Sequence, residues 1–416
     1  MAHRLPLAVV DQVAVSGSSL LTGLLVARYE TREGFGSFAL AYATLLLANS
    51  VLMATVIKPF IALEGRRDAD AVRDRIGIYL SIQLVVSVAM SATVATAGIL
   101  AGAGPTFLAL AAAIVPVHVL ELMRRALLQR FAVLEALGYN ILFAAGNVVG
   151  LLLLGWLERL TGVTALLVMG ASAIVATLAA AGRLGIRPAL SGQAIGREAG
   201  RAWTFTRWSA PATLMESLEA RGYAYLSAAA LGLTAPAVLE IGRVMLAPTN
   251  VVVFPVGNLS MPAVSHLYAR GSLGQVRRVV TQAVLFVGVG VGVYAIATWW
   301  FAKPLLGLLY GGRYDDAVSV VRALAVAHVV VCLSGVVGLC LESLGRPRLV
   351  FVAQVAGGIV GLGGSWLLFP AVGLAGVAGG MAMGSAVAVF VKAVALRRRL
   401  ADRDAAPVLC MSMPKP

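Results

Sequence analysis

LPLAVVDQVAVSGSSLLTGLLVAR, residues 5–28, is followed by the polar corner YETREGFG at 29–36 and by a second apolar run that ends at Lys58 and Pro59. At about 1.5 Å of rise per residue, roughly 20 apolar residues span the ~30 Å hydrocarbon core of a bilayer, and both runs are long enough. The first run nevertheless carries Asp11 within it and ends at Arg28. A carboxylate inside a membrane helix costs on the order of 2.5–3.5 kcal/mol on insertion scales, so it is expected to face a bundle interior or a wet cavity.

Composition carries that reading to the whole chain. Of 416 residues, 60% are hydrophobic and 12% charged, and the mean hydropathy is +0.90, which describes a polytopic membrane protein. Cys332, Cys340 and Cys410 form no CxxC and no disulfide framework, so they read as small packed hydrophobes. The first apolar run exceeds a signal-peptide core and lacks a clear cleavage site, so it is expected to remain as the first membrane helix.

Apolar runs bounded by charge, Gly or Pro predict spans near 5–27, 35–57, 76–101, 106–122, 137–157 and 163–182, then 208–233, 237–264, 279–302, 317–343, 349–369 and 372–395. Twelve spans place both termini on one side. The segments on that side hold 24 of the 33 Lys and Arg, against 5 on the other, and positive-inside bias makes the richer side cytoplasmic. This asymmetry accounts for most of the net charge of +14, which is therefore no sign of nucleic-acid binding. The expected organisation is all-α: a first lobe at 1–183, a cytoplasmic linker at 184–207, a second lobe at 208–396 and a basic cytoplasmic tail at 397–416.

An internal repeat of position and polarity supports two pseudo-symmetric six-helix lobes around a central cavity. A shift of 205 residues lays Asp11 on Glu216, and a shift of 210 lays His118 on His328. In the first span, Asp11, Ser18 and Thr22 form one polar stripe. In the seventh, Glu216 and Glu219 share a face while Arg221 points away and needs a partner elsewhere. In the eighth, Glu240, Arg243 and Asn250 share a side, and Arg322 enters the tenth at comparable depth. Pro248, Pro255 and Pro262 recur every seven residues, and with Pro211 they predict bent helices, as hinges or as static kinks.

Structural alternatives accompany each of these residues. Arg28 fits a snorkelling interfacial anchor as well as a ligand group. The buried acids fit interhelical hydrogen bonds, Arg243 and Arg322 fit ion pairs, and the two histidines fit helix packing. No GxxxxGK[ST] loop, HExxH or Cys/His cluster is present, so nucleotide hydrolysis by the chain itself and metal chemistry are excluded. The longest outside link, near Lys303–Asp316, is too short for the large loop that membrane glycosyltransferases carry.

VARYETREGFGSFALAYATLLL (26–47) resembles the corner between the first two helices of bacterial polysaccharide-unit flippases in the multidrug/oligosaccharidyl-lipid/polysaccharide exporter superfamily. PLLGLLYGGRYDDAVSVVRALAV (304–326) and ESLGRPRLVF (342–351) are similar to that family's ninth-to-tenth and tenth-to-eleventh helix links. The resemblance implies two six-helix bundles working by alternating access in the bacterial plasma membrane, without ATP or a bound cofactor. It implies an undecaprenyl-diphosphate-linked oligosaccharide as substrate, the bilayer as partner, and a place beside polysaccharide polymerase and export machinery. On that reading Arg28, Arg221, Arg243 and Arg322 face the anionic diphosphate, and Asp11, Glu216 and Glu219 bind a coupling proton or sodium ion. A multidrug exporter of the same superfamily, with a more acidic or aromatic cavity, is the competing expectation. A non-transporting scaffold subunit would instead pair all its buried charges.

Overall fold

The computed structural model describes residues 4–64, 69–129, 132–184, 188–189, 191–344 and 346–404, and among them it is all helix, turn and loop. Fourteen α-helices follow one another: α1 Arg4–Tyr29, α2 Arg32–Leu52, α3 Lys58–Glu64, α4 Ala69–Leu100, α5 Gly104–Gln129, α6 Val133–Trp156, α7 Gly162–Leu184, α8 Gly192–Leu231, α9 Thr234–Leu246, α10 Asn250–Ala269, α11 Leu273–Tyr310, α12 Val318–Ser343, α13 Pro347–Val372 and α14 Leu374–Asp404. Among the described residues, ten stretches are long and apolar enough to cross a membrane. The other two expected spans fall on α1 and on the second part of α8. The protein is thus an all-α polytopic membrane protein of about twelve membrane helices.

Segment 184–207 is not a loop throughout. Ser191 caps α8 through its side chain, which accepts from the Ala194 N–H, and the helix then runs unbroken from Gly192. Glu198, on this polar first part of α8, pairs with Arg75 of α4 at 2.9 Å and with Arg201 at 3.0 Å. Likewise α14 continues past residue 397 to Asp404. Cys332 and Cys340 are buried free thiols; Cys410 lies outside the described residues.

The prolines act unequally. Pro59 has no N–H, and the ladder before it slips into a π turn over Met53–Ile57. Thr206 of α8 reaches the Ala54 and Thr55 carbonyls there at 3.4 and 3.5 Å, and Lys58 Nζ donates to Thr213 Oγ1 at 2.9 Å. Pro248 breaks the eighth span into α9 and α10 through a 3-10 turn, Ala247–Thr249. Pro211 sits inside the unbroken α8, and Pro255 and Pro262 inside the unbroken α10, so no break marks those three sites.

Helices pack mainly within each half of the chain, as α4 with α5, α5 with α7 and α1 with α6, then α11 and α14 with α12 and α13 with α14; α2 against α8 and α9 joins the halves. The core is shared at one end only. Phe35, Phe38 and Leu166 pack in one cluster with Ile241, Leu306, Tyr310, Tyr314 and Val321. At the opposite end each half keeps its own cluster, around Leu52, Phe60 and Tyr79 in the first and around Val264, Leu341 and Val350 in the second. The halves are therefore closed together where α2 begins.

A polar clamp lies over the shared core. Arg32 grips Asp316 with both guanidinium arms, at 2.7 and 2.9 Å, also donates to the Arg313 carbonyl, and lies over the Tyr314 ring at 5.1 Å. Arg313 returns hydrogen bonds to the Glu30 and Arg28 carbonyls at 2.6 and 3.2 Å. Glu30 accepts from the Gly162 N–H at 2.8 Å. Beneath the clamp, Phe35 is fully buried between Phe38 and Tyr314. Truncating a buried phenylalanine costs about 3–5 kcal/mol. Phe35→Ala is accordingly expected to lower the thermal midpoint of the purified protein, and an unchanged midpoint would remove Phe35 from the closure.

Candidate functional site

Between the shared core and the separate ones lies a cavity of about 460 Å³, lined by both halves. Ser19, Thr22 and Gly23 of α1 and Phe38, Tyr42 and Leu46 of α2 form one wall. Arg221 and Tyr223 of α8, Glu240 and Arg243 of α9, Asn250 of α10 and His328 of α12 form the facing wall, with Gln354 and Ser385 from α13 and α14. Among the described residues, two arginines thus share the space with one carboxylate.

The three charges neutralise one another only in part. Arg243 Nη1 lies 3.6 Å from Glu240 Oε2, three residues back on the same helix, which is close enough for charge attraction but long for a hydrogen bond. Arg221 lies within electrostatic reach of Arg243, Glu240, Tyr42 and Tyr225. Its Nη1 is buried and has no hydrogen-bond partner among the described residues. Guanidinium carries five donors in a fixed planar fork, and leaving buried ones unmade is costly. The arrangement therefore suits an anion arriving from outside the protein.

The uncharged lining is held by hydrogen bonds between helices. Tyr42 and Ser19 hydroxyls lie 2.6 Å apart, joining α2 to α1. Thr44 and Tyr225 hydroxyls lie 2.7 Å apart, joining α2 to α8 across the halves. The turn at Pro248 delivers Thr249, whose Oγ1 lies 2.7 Å from His328 Nε2. Gln354 Oε1 is buried in the same wall without a partner among the described residues. His118, the expected counterpart of His328, lies elsewhere, buried in the first half with Nδ1 3.0 Å from Ser87 Oγ.

The sequence-derived site residues separate into three groups. Arg221 and Arg243 line the cavity. Arg28 and Arg322 are not among the residues that line it. Arg28 lies in the last turn of α1 as an exposed side chain at the clamp, where its carbonyl accepts from Arg313. Arg322 turns to α11, its Nε donating to the Trp299 carbonyl at 3.1 Å and its guanidinium lying 4.8 Å from that ring centroid. Asp11 lies on α1 and Glu216 and Glu219 on α8, but their side chains are outside the described residues.

Two groups were missed by the reading of spans. Asn147 of α6 donates to Thr22 Oγ1 at 2.8 Å and Ser18 Oγ at 3.3 Å, which makes the polar stripe of α1 an interhelical junction. Lys392 of α14 is fully buried and donates to Ser334 Oγ at 2.9 Å. In both cases a signal was present in the spacing, since Asn140 precedes Asn147 and Ser385 precedes Lys392 by seven residues inside apolar spans.

No family model and no curated protein matches the chain. Solved structures do. The inward-facing conformation of a multidrug resistance MATE family transporter of the MOP superfamily superposes with TM-score 0.80 at 15% identity, covering 95% of this chain and 96% of that one. Lipid II flippase MurJ in an inward closed conformation gives 0.74 at 9% identity, covering 95% and 90%. A MOP superfamily transporter from Pyrococcus furiosus, described by the reverse polarity of its binding pocket, gives 0.72 at 14%, covering 96% and 95%. At these identities the likeness is one of fold, and the chain has the fold of these transporters over nearly its whole length.

Proposed function

We propose that this protein is a flippase that carries a lipid-linked oligosaccharide, joined to its polyprenol through a diphosphate, across the plasma membrane by alternating access. The observation that carries this reading is the excess of guanidinium among the described residues of the cavity: there Arg221 and Arg243 face one carboxylate, and Arg221 Nη1 has no partner. Arginine's fork matches phosphate oxygens two at a time. About 460 Å³ lies in the lower part of the range for small-molecule sites and takes a diphosphate head with the first sugar; the rest of the glycan would extend past the cavity. Fold likeness to a lipid II flippase supports the class of cargo.

On this reading the clamped end faces outward, both termini are cytoplasmic, and Asp11, Glu216 and Glu219 carry the coupling proton or sodium ion. Polysaccharide polymerase and export machinery would act on the delivered glycan. A deletion strain tests the reading: a lipid-linked glycan should accumulate on the cytoplasmic leaflet, and an unchanged lipid pool would refute it.

A second reading, multidrug export, is favoured by Glu240 beside the rings of Phe38, Tyr42, Tyr223 and Phe254, a set able to hold an aromatic cation. It predicts that deletion sensitises cells to cationic drugs and leaves lipid-linked glycans unchanged.

A further inference from the structure

On α12, Ser319 and Val326 are exposed, three residues before Arg322 and four after it, so Arg322 stands on a stripe that faces the surrounding lipid. Across the groove, α11 presents Trp299, Trp300 and Phe301 at 39%, 67% and 59% exposure. Lys303, also exposed, lies one turn beyond Trp299 on the same face of α11. Arg322 is fastened there through Nε to the Trp299 carbonyl and through its plane to the Trp299 ring. Neither Arg322 nor Lys303 forms an ion pair with any described carboxylate, and the remaining guanidinium donors of Arg322 have no partner among the described residues.

A membrane-facing arginine would ordinarily be paired or drawn out to the interface. Here the ring and carbonyl of Trp299 hold it in place, while the second cation lies one turn nearer the Tyr310 end of α11. The geometry points to a binding site for the head-group phosphate of an anionic glycerophospholipid in the groove between α11 and α12. Arg322 supplies forked donors to the phosphate oxygens, Lys303 supplies a second positive charge, and the apolar face of α11, exposed at Val289, Val293 and Ile296, receives the acyl chains. The site shares no residue with the cavity and stands independently of the transport reading.

Native mass spectrometry of the purified full chain, titrated with phosphatidylglycerol, phosphatidylcholine or inorganic phosphate, tests it. The wild type should retain phosphatidylglycerol in preference to phosphatidylcholine and should not retain inorganic phosphate. Arg322→Gln should weaken phosphatidylglycerol binding roughly tenfold, the scale of a lost charge-assisted hydrogen bond, and Arg322→Lys should restore part of it. Lys303→Gln, at an exposed position that forms no ion pair with a described carboxylate, should weaken it by a smaller factor and keeps the test valid if Arg322→Gln folds poorly. Equal retention of the two lipids by the wild type, or undiminished phosphatidylglycerol binding in Lys303→Gln and Arg322→Gln, overturns the site. Retention of inorganic phosphate at Arg322 overturns its assignment to lipid.

Discussion

Arg221→Ala is expected to abolish transport while leaving the protein inserted and folded. The side chain contributes an unpartnered buried Nη1 to the cavity and makes no ion pair among the described residues. Its removal therefore breaks no ion pair with a described carboxylate, and the folded state is expected to lose little. The bound state loses more. Hydrogen bonds to charged groups contribute about 1.5–3 kcal/mol each, and a forked pair multiplies that, so substrate affinity should fall by roughly a hundredfold or more. Arg221→Lys keeps the charge but not the fork, and an intermediate rate is expected. Arg243→Ala should act in the same direction with a smaller effect, since Glu240 already balances part of its charge. Export of the glycan in a complemented deletion strain, with membrane abundance measured in parallel, separates the outcomes. Full export by Arg221→Ala would place the anion elsewhere.

The second large effect concerns Gly36. A Cβ at this position would run into the Leu233 carbonyl in the link between α8 and α9, so the two backbones touch where the halves meet. Backbone cannot yield as a flexible side-chain tip can, and overpacking a tight contact costs about 1–3 kcal/mol or more. Gly36→Val should therefore loosen the closed end and shift the protein towards the state in which Arg32 and Asp316 separate. Spin labels at the exposed positions 33 and 319 report this directly. The wild type should give one short distance, and Gly36→Val a broader and longer distribution. Superimposable distributions would show that the contact does not hold the end closed. Salt should weaken the exposed Arg32–Asp316 pair but not the buried ring stack below it.

This pair of predictions also shows what the sequence disclosed. The corner YETREGFG was legible as a turn between two membrane helices, because charge and glycine interrupt apolar runs there. It was not legible that Arg32, Phe35 and Gly36 would each meet a residue some 200 to 280 positions away, since periodicity speaks only about one helix at a time. The twelve spans were readable for the same local reason. The first part of α8 was not, because Gly192–Arg207 is polar enough to look like a linker and becomes helix by packing its Glu198 against Arg75.

The cavity arginines divide along similar lines. Arg221 and Arg243 stood on helices with acids and prolines nearby, which gave those helices sidedness. The helix carrying Arg322 is the most apolar of the described membrane-capable stretches and has no polar stripe. Counting residues from its end therefore gave the depth of Arg322 but not its facing, and the side chain lies on the lipid side, against Trp299. Asn147 and Lys392 each follow a buried polar residue, Asn140 and Ser385, by seven positions, which marks a face of one helix but not what it meets; the packing of α6 on α1 and of α14 on α12 reveals their partners.

The central claim is that the space between the two halves selects a negatively charged lipid head. Calorimetric titration of the purified protein with a polyprenyl diphosphate, set beside a hydrophobic aromatic cation, measures that sign of selectivity directly. The diphosphate should bind, Arg221→Ala should remove most of its affinity, and the cation should bind weakly or not at all. Tight binding of the cation that Arg221→Ala strengthens, with no heat from the diphosphate, would contradict it.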